Sequence, residues 1–226
     1  MDLAVVQLGV VPYAEALEMQ LRLRDLRQAG DIGDTLLLLE HAPVYTRGRR
    51  TEPHDLPMGE DWYRARGIEV HDADRGGRVT YHGPGQLVGY PIMQISDVPA
   101  YVHTMEEAIV AALADEGIDA EVRDGLTGIW AGDAKIGSIG VHVNRGVTTH
   151  GFAVNVDNDL QPFEWVVPCG LDGVRMTSVA RESGRADGIA CFRKRMAYRF
   201  AQAYGVRQRI TSLDRLLART PAAVAA

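Results

Sequence analysis

Residues 75–86 read RGGRVTYHGPGQ, and no other stretch narrows the fold of this chain as much. Two adjacent glycines lead into a β-prone run, and a Gly-Pro-Gly step follows that requires a turn or a sharp bend. Glycines at this density cost backbone entropy. They are used where φ must be positive or where a ligand comes close to the main chain. The stretch reads in one of two ways. It is a loop whose N–H groups and His82 surround a carbonyl or chain-like substrate, or it is a pair of tight turns with a surface histidine. It is neither a Walker loop, which ends Gly-Lys-Ser/Thr, nor a G-x-G-x-x-G dinucleotide loop.

The flanking pattern predicts the elements. Apolar runs at 3–9 (LAVVQLG) and 35–41 (TLLLLEH) have buried-strand length. Between them a helix starts at Pro12 and stops at Gly30, with Leu17 and Leu21 at helical spacing. Residues 42–66 are rich in Pro, Gly and charge and predict a long surface loop ending in a short turn or helix. Strands are expected at 68–74 and at both ends of 78–95. A helix over 99–117 places Val102, Met105, Ile109 and Leu113 on one face. Strands follow at 119–123, 127–131, 135–143 and 147–156, then helices at 187–204 and 211–219.

Helices set at intervals among clustered, hairpin-like strands, without strict βαβ alternation, predict an α+β fold with a mixed or antiparallel sheet. One domain is expected over residues 1–219, with 220–226 a disordered tail. A net charge of −6 argues against broad nucleic-acid binding. Cys169 and Cys191 are too few for a disulfide framework and fit a reducing cytoplasm. No charged-then-apolar leader opens the sequence, and no apolar run nears the ~18–20 residues of a membrane span. A soluble cytoplasmic protein is expected.

Four further features bear on chemistry. The chain has two lysines, Lys135 and Lys194, and uses arginine for every other cation. Lys135 opens the run AKIGSIGVHV, among small and apolar neighbours. Such surroundings desolvate an amine and favour its neutral form, so Lys135 is a plausible base; otherwise it is a strand-edge surface cation. Cys169, between Pro168 and Gly170, reads as a thiol exposed on a turn, a nucleophile if a cation or base stands near, or else as a small buried hydrophobe. Cys191 falls in a helical pattern and reads as the buried hydrophobe. His150 precedes Gly151 at the entry to a strand and is either a rival base or a structural histidine. No histidine or cysteine spacing supports a metal site. Basic clusters at 47–50 (RGRR) and 193–199 (RKRMAYR) are solvated faces or docking sites for acidic partners.

Together, RGGRVTYHGPGQLVGYPI, AKIGSIGVHV, THGFAVNV and PCGL, in this order, resemble the octanoyltransferases of lipoic acid assembly, the lipoyl(octanoyl) transferases. The resemblance runs from about residue 35 to 180. It implies the mixed-sheet α+β fold of the biotin and lipoate protein ligases. It implies transfer of an octanoyl group from octanoyl-acyl carrier protein to a lysine of the lipoyl domains of 2-oxoacid dehydrogenase complexes and of the glycine cleavage H protein. It implies no cofactor, no metal, and no nucleic-acid or membrane partner. The implied catalytic dyad is Cys169 with Lys135. Implied substrate contacts are Arg75, Gly76, Gly77, Arg78, Val79, Thr80, Tyr81 and His82, then Ser138, Ile139 and Gly140, then His150, Gly151, Phe152 and Ala153. Backbone N–H groups near Ser138, Ile139 and Gly140 are candidate oxyanion donors, and Val79, Leu87 and Phe152 candidate walls of an acyl channel. Gly137 and Val154 depart mildly from the family pattern.

Three other readings stay open at this level. An ATP-dependent lipoate ligase on the same fold needs the lysine but no nucleophilic cysteine. A non-catalytic carrier-binding module forms no covalent adduct. A cysteine hydrolase would use His82 or His150 as its base. If the carrier is acidic, reversing the charge of Arg47, Arg49 and Arg50 raises KM for it.

Overall fold

A computed structural model describes residues 2–167, 174–185 and 188–218. In chain order its elements begin with β1 (Asp2–Val11), α1 (Tyr13–Ala29), β2 (Thr35–His41), β3 (Val44–Arg47), α2 (Glu60–Arg64), β4 (Glu69–Asp72) and β5 (Val79–His82). They continue with β6 (Gln86–Ile92), α3 (Val98–Ala114), β7 (Ala120–Arg123), β8 (Leu126–Ala131), β9 (Ala134–Asn144) and β10 (Val147–Asn155). Last come β11 (Arg175–Met176), α4 (Val179–Ser183), α5 (Gly188–Ala203), β12 (Arg207–Thr211) and α6 (Leu213–Leu217).

The uninterrupted TLLLLEH run is explained by burial on both faces. Successive side chains of a strand point to opposite sides. Leu36 and Leu38 enter one core with Met105, Ile109 and Leu113 of α3 and Phe192, Met196 and Phe200 of α5. Leu37 and Leu39 enter the other with Ala16 and Leu23 of α1 and Leu216 of α6. The sheet between these layers has nine strands, in the order β12-β1-β2-β6-β10-β9-β8-β7, with β11 added against β9. It is mixed: β12, β1 and β2 are parallel, and β2 through β7 pair antiparallel along that order. The α+β reading with a mixed sheet therefore holds.

A second sheet of three strands, β4-β3-β5, carries its own small core of Tyr45, Tyr63, Val79, Tyr81 and Phe163. Here the structure departs from the sequence reading. Residues 44–47, expected in a loop, form β3, the central strand of this sheet. β5 and β6, joined by the Gly-Pro-Gly step, do not pair: β5 lies in the small sheet and β6 in the large one. Residues 207–211, with four polar side chains in five positions, form the edge strand β12. Cys191 lies on α5 as expected, but on its exposed side, so it is not a buried hydrophobe. The expected tail and the turn expected at Cys169, between Pro168 and Gly170, fall outside the described residues. Among the described residues no helix is long and apolar enough to cross a membrane.

Candidate active site

The Gly-Pro-Gly step carries the chain from one sheet to the other, and a cavity of about 520 Å³ is lined by residues of both. Strand alternation decides which residues of RVTYH reach it. Arg78, Thr80 and His82 line the cavity, whereas Val79 and Tyr81 point the opposite way into the small-sheet core. Arg75, Gly76 and Gly77 also line it, as do Ser138, Ile139 and Gly140 of β9 and His150, Gly151, Phe152 and Ala153 of β10. Leu87, expected in an acyl channel wall, is buried in the main core instead; Val88, Leu126, Ile139 and Phe152 supply apolar lining. Gly137 and Val154 do not line the cavity, and Val154 is a core residue.

The RGG loop is clamped between the two sheets. The Arg75 guanidinium donates to both the carbonyl and the hydroxyl oxygen of Thr46, each at 2.7 Å. The Gly76 N–H donates to Val141 O on β9 at 3.1 Å. The approach is close enough that a Cβ at Gly140 would stand 3.0 Å from Gly76 O and 3.1 Å from Arg75 Cδ.

Lys135 is 2% exposed and lines the cavity. Its position follows from the β8–β9 register. Lys135 stands opposite Trp130, and Gly128 lies two residues along the same face of β8. With no side chain at Gly128, the lysine stem lies across it, and Nζ donates to Thr127 O at 2.7 Å. Gly128 itself takes φ +120°, a conformation L side chains rarely adopt. Along its other edge, β9 pairs with β11: Met176 stands opposite Lys135, and Thr177 N–H donates to Lys135 O at 3.0 Å. β11 follows the 168–173 segment that carries Cys169. Cys169 itself lies outside the described residues.

His150 has φ +58°, a left-handed backbone uncommon outside glycine. Its N–H donates to Gln20 Oε1 at 2.7 Å and its Nε2 donates to Asp74 Oδ1 at 2.6 Å. That hydrogen bond holds the Asp74 carboxyl below the usual carboxylate range. The basic clusters are largely engaged. Arg47 pairs with Asp72 and Glu60, Arg193 with Glu40, Arg195 with Glu116, and Arg199 with Asp115. Arg49 and Arg50 are exposed, and their guanidinium groups form no ion pair among the described residues. Thr127, Gly128, Asp74 and Gln20 escaped the sequence reading. The Gly125 and Gly128 spacing in DGLTGIW was the available signal, because a glycine inside a strand marks a close approach.

Residues 12–201 match the model of the lipoyl protein ligase A/B catalytic domain. The chain belongs to this family. An octanoyltransferase from Chloroflexus aggregans is 49% identical over 195 residues, covering 83% of this chain and 88% of that one. An octanoyltransferase from Solibacter usitatus is 51% identical over 169 residues, covering 73% and 77%. The family member described here is thus an acyltransferase. Its fold is shared with a bi-partite lipoate protein ligase from Thermoplasma acidophilum, at TM-score 0.75 and 18% identity over 94% of this chain and 88% of that one. It is shared more distantly with biotin protein ligase from Aquifex aeolicus, at TM-score 0.55 and 13% identity over 90% and 70%.

This lipoyl protein ligase A/B domain buries His82 and His150 in its cavity wall and His41 against His82. Burial pushes His41 down to about 4 and His82 well below the ordinary histidine value. Neither takes up a proton in the folded state as pH falls from about 6.5 toward about 4, whereas the unfolded chain does. Stability is therefore full above about pH 6.5 and declines below it, by roughly 1.4 kcal/mol per pH unit for each proton excluded. Urea unfolding midpoints measured between neutral and mildly acid pH are expected to fall accordingly, and less steeply in His41→Gln. An equal slope in that variant contradicts the assignment.

Proposed function

We propose that this chain transfers an octanoyl group from octanoyl-acyl carrier protein to a lysine of lipoyl domains, through a thioester on Cys169. The placement of Lys135 carries this reading. A lysine side chain is buried in the wall of a partly apolar cavity, and its strand pairs with the one that follows the Cys169 segment. An arginine in that seat would hold the same charge but could not exchange a proton.

In the proposed first half-reaction Lys135 takes the thiol proton of Cys169, and the thiolate attacks the carrier thioester. The new carbon–sulfur bond forms, the old one breaks, and the carrier thiol leaves with the proton from Lys135. In the second half-reaction the acceptor lysine amine attacks the acyl-enzyme. Cys169 leaves as thiolate and recovers a proton by way of Lys135. Thioester to amide is downhill, so no ATP is consumed.

The strand geometry narrows the oxyanion donor. Val141 O accepts from Gly76, outside the β9–β10 ladder, so by alternation the main-chain groups of Ile139 face the same way, away from β10. Those of Ser138 and Gly140 face β10 and belong to its ladder. β8–β9 pairing ends at Ile129–Gly137, one step short of Ile139. The Ile139 N–H is thus the donor of the three that the ladder with β10 does not use, and such a donor supplies ~3–4 kcal/mol to a developing oxyanion.

Transfer assayed without ATP tests the nucleophile. Cys169→Ala is expected to lose at least about 10⁴-fold in rate. Retained ATP-free transfer rules out the acyl-enzyme. Activity restored by ATP and free acid would favour the ligase reading instead.

A further inference from the structure

A chain of buried amides fixes which nitrogen of His82 carries the proton. Gln86 is 2% exposed, Asn155 1% and His82 7%. The direction of each hydrogen bond can be deduced from two backbone carbonyls, which only accept. Asn155 Nδ2 donates to Thr177 O at 3.0 Å, so Asn155 Oδ1 faces the other way and accepts from Gln86 Nε2 at 2.9 Å. Gln86 Nε2 also reaches Tyr81 O at 3.2 Å, which fixes the same orientation independently. Gln86 Oε1 is then left facing His82 Nδ1 at 2.6 Å and must accept there. The imidazole proton therefore sits on Nδ1. No hydrogen-bond partner of His82 Nε2 is seen among the described residues, and His82 lines the cavity.

We propose that Gln86 and Asn155 are positioning residues that lock His82 as its Nδ1–H tautomer, so that Nε2 accepts a hydrogen bond from an N–H of the bound substrate. This rests on the acyl-transfer reading for the identity of the substrate, but the lock itself does not. The charged and titratable groups facing His82 all oppose its protonation. They are His41, with ring centroids 5.6 Å apart, Arg75 and His150; burial is the larger cause. His82 is thus suited to accept a hydrogen bond and unsuited to act as a general base. The chain of amides continues beyond Asn155. It ends on Thr177, whose own N–H bonds Lys135 O, so the histidine and the lysine rest on one buried network.

The test is the nitrogen spectrum of the full chain labelled with ¹⁵N-histidine, with His82→Asn used to assign the signal. The wild type should show a neutral Nδ1–H imidazole at His82 that does not titrate from about pH 8 to about pH 5.5, below the ordinary histidine value. A protonated Nε2, or an imidazolium in that range, overturns the lock. Gln86→Glu keeps an acceptor toward Nδ1 and should preserve the tautomer, whereas Gln86→Leu should lose it. A tautomer unchanged in Gln86→Leu overturns the role of the amides. If Gln86→Leu does not fold, Gln86→Met, which keeps the length of the side chain but offers no oxygen to Nδ1, takes its place with the same expectation of a lost lock. The N–H has two possible sources, the carrier arm and the acceptor lysine, which the half-reactions separate. His82→Asn should slow acyl-enzyme formation or lysine transfer about tenfold, the scale of one lost hydrogen bond. Loss in neither overturns the acceptor role. A wild type with no transferase activity but an intact Nδ1–H signal would remove the functional reading and leave the lock standing.

Discussion

Lys135→Arg leaves a folded chain whose transfer rate is lower by about 10²–10⁴-fold, the scale of a lost general acid–base group. The substitution keeps the positive charge, a long aliphatic stem and donors able to reach Thr127 O. It removes only the capacity to release and retake a proton. A structural cation would be replaced by arginine with little consequence, so the variant separates the two roles. Circular dichroism and the unfolding midpoint establish that the fold survives. Lys135→Met, without charge or donor, should be as inactive. A Lys135→Arg enzyme within a few-fold of wild type would return the base role to His150, since His82 is held neutral by burial and by its neighbours.

Gly128→Ala should damage activity and stability together, though nothing in the reaction touches Gly128. A Cβ there would stand 2.5 Å from Gly137 O and would collide with Lys135 Cε. It would also force an L residue to φ +120°. Backbone strain alone costs about 1–3 kcal/mol. The amine must then leave its seat on Thr127 O, so the rate should fall on the scale of the Lys135 variants. Measured kcat and thermal midpoint should both drop. An alanine variant with wild-type kcat would mean that the lysine acts from another position.

What the sequence made legible follows from the range of each signal. The TLLLLEH run and the amphipathic pattern of 99–117 are local, and both became the elements expected of them. β3 is four residues of VYTR in a charged, proline-rich region, and its strand character comes from partners at 69–72 and 79–82. β12 is held by pairing to β1 from more than 190 positions away, and its own RQRIT carries little apolar signal. The Gly-Pro-Gly step announced a bend but not a change of sheet, since pairing partners are chosen by distant strands. At the site the same contrast holds. Glycine density and the rarity of lysine pointed to residues 75–82 and to Lys135. The resemblance, however, carried over whole runs, and Val79 and Tyr81 face the other way because a strand alternates. Gln86 stood at the end of the opening motif, yet its part depends on Asn155 and Thr177, which only the folded sheet brings to it.

In the proposed reaction Lys135 and Cys169, 34 positions apart in sequence, act on one carbonyl. Intact-mass spectrometry of the chain mixed with octanoyl-acyl carrier protein, without acceptor, tests this most directly. The account predicts a gain of one octanoyl group, labile to hydroxylamine, mapped to Cys169 and absent from Cys169→Ala. An unmodified enzyme that nonetheless transfers octanoyl to a lipoyl domain, or an adduct mapped to any other residue, would contradict it.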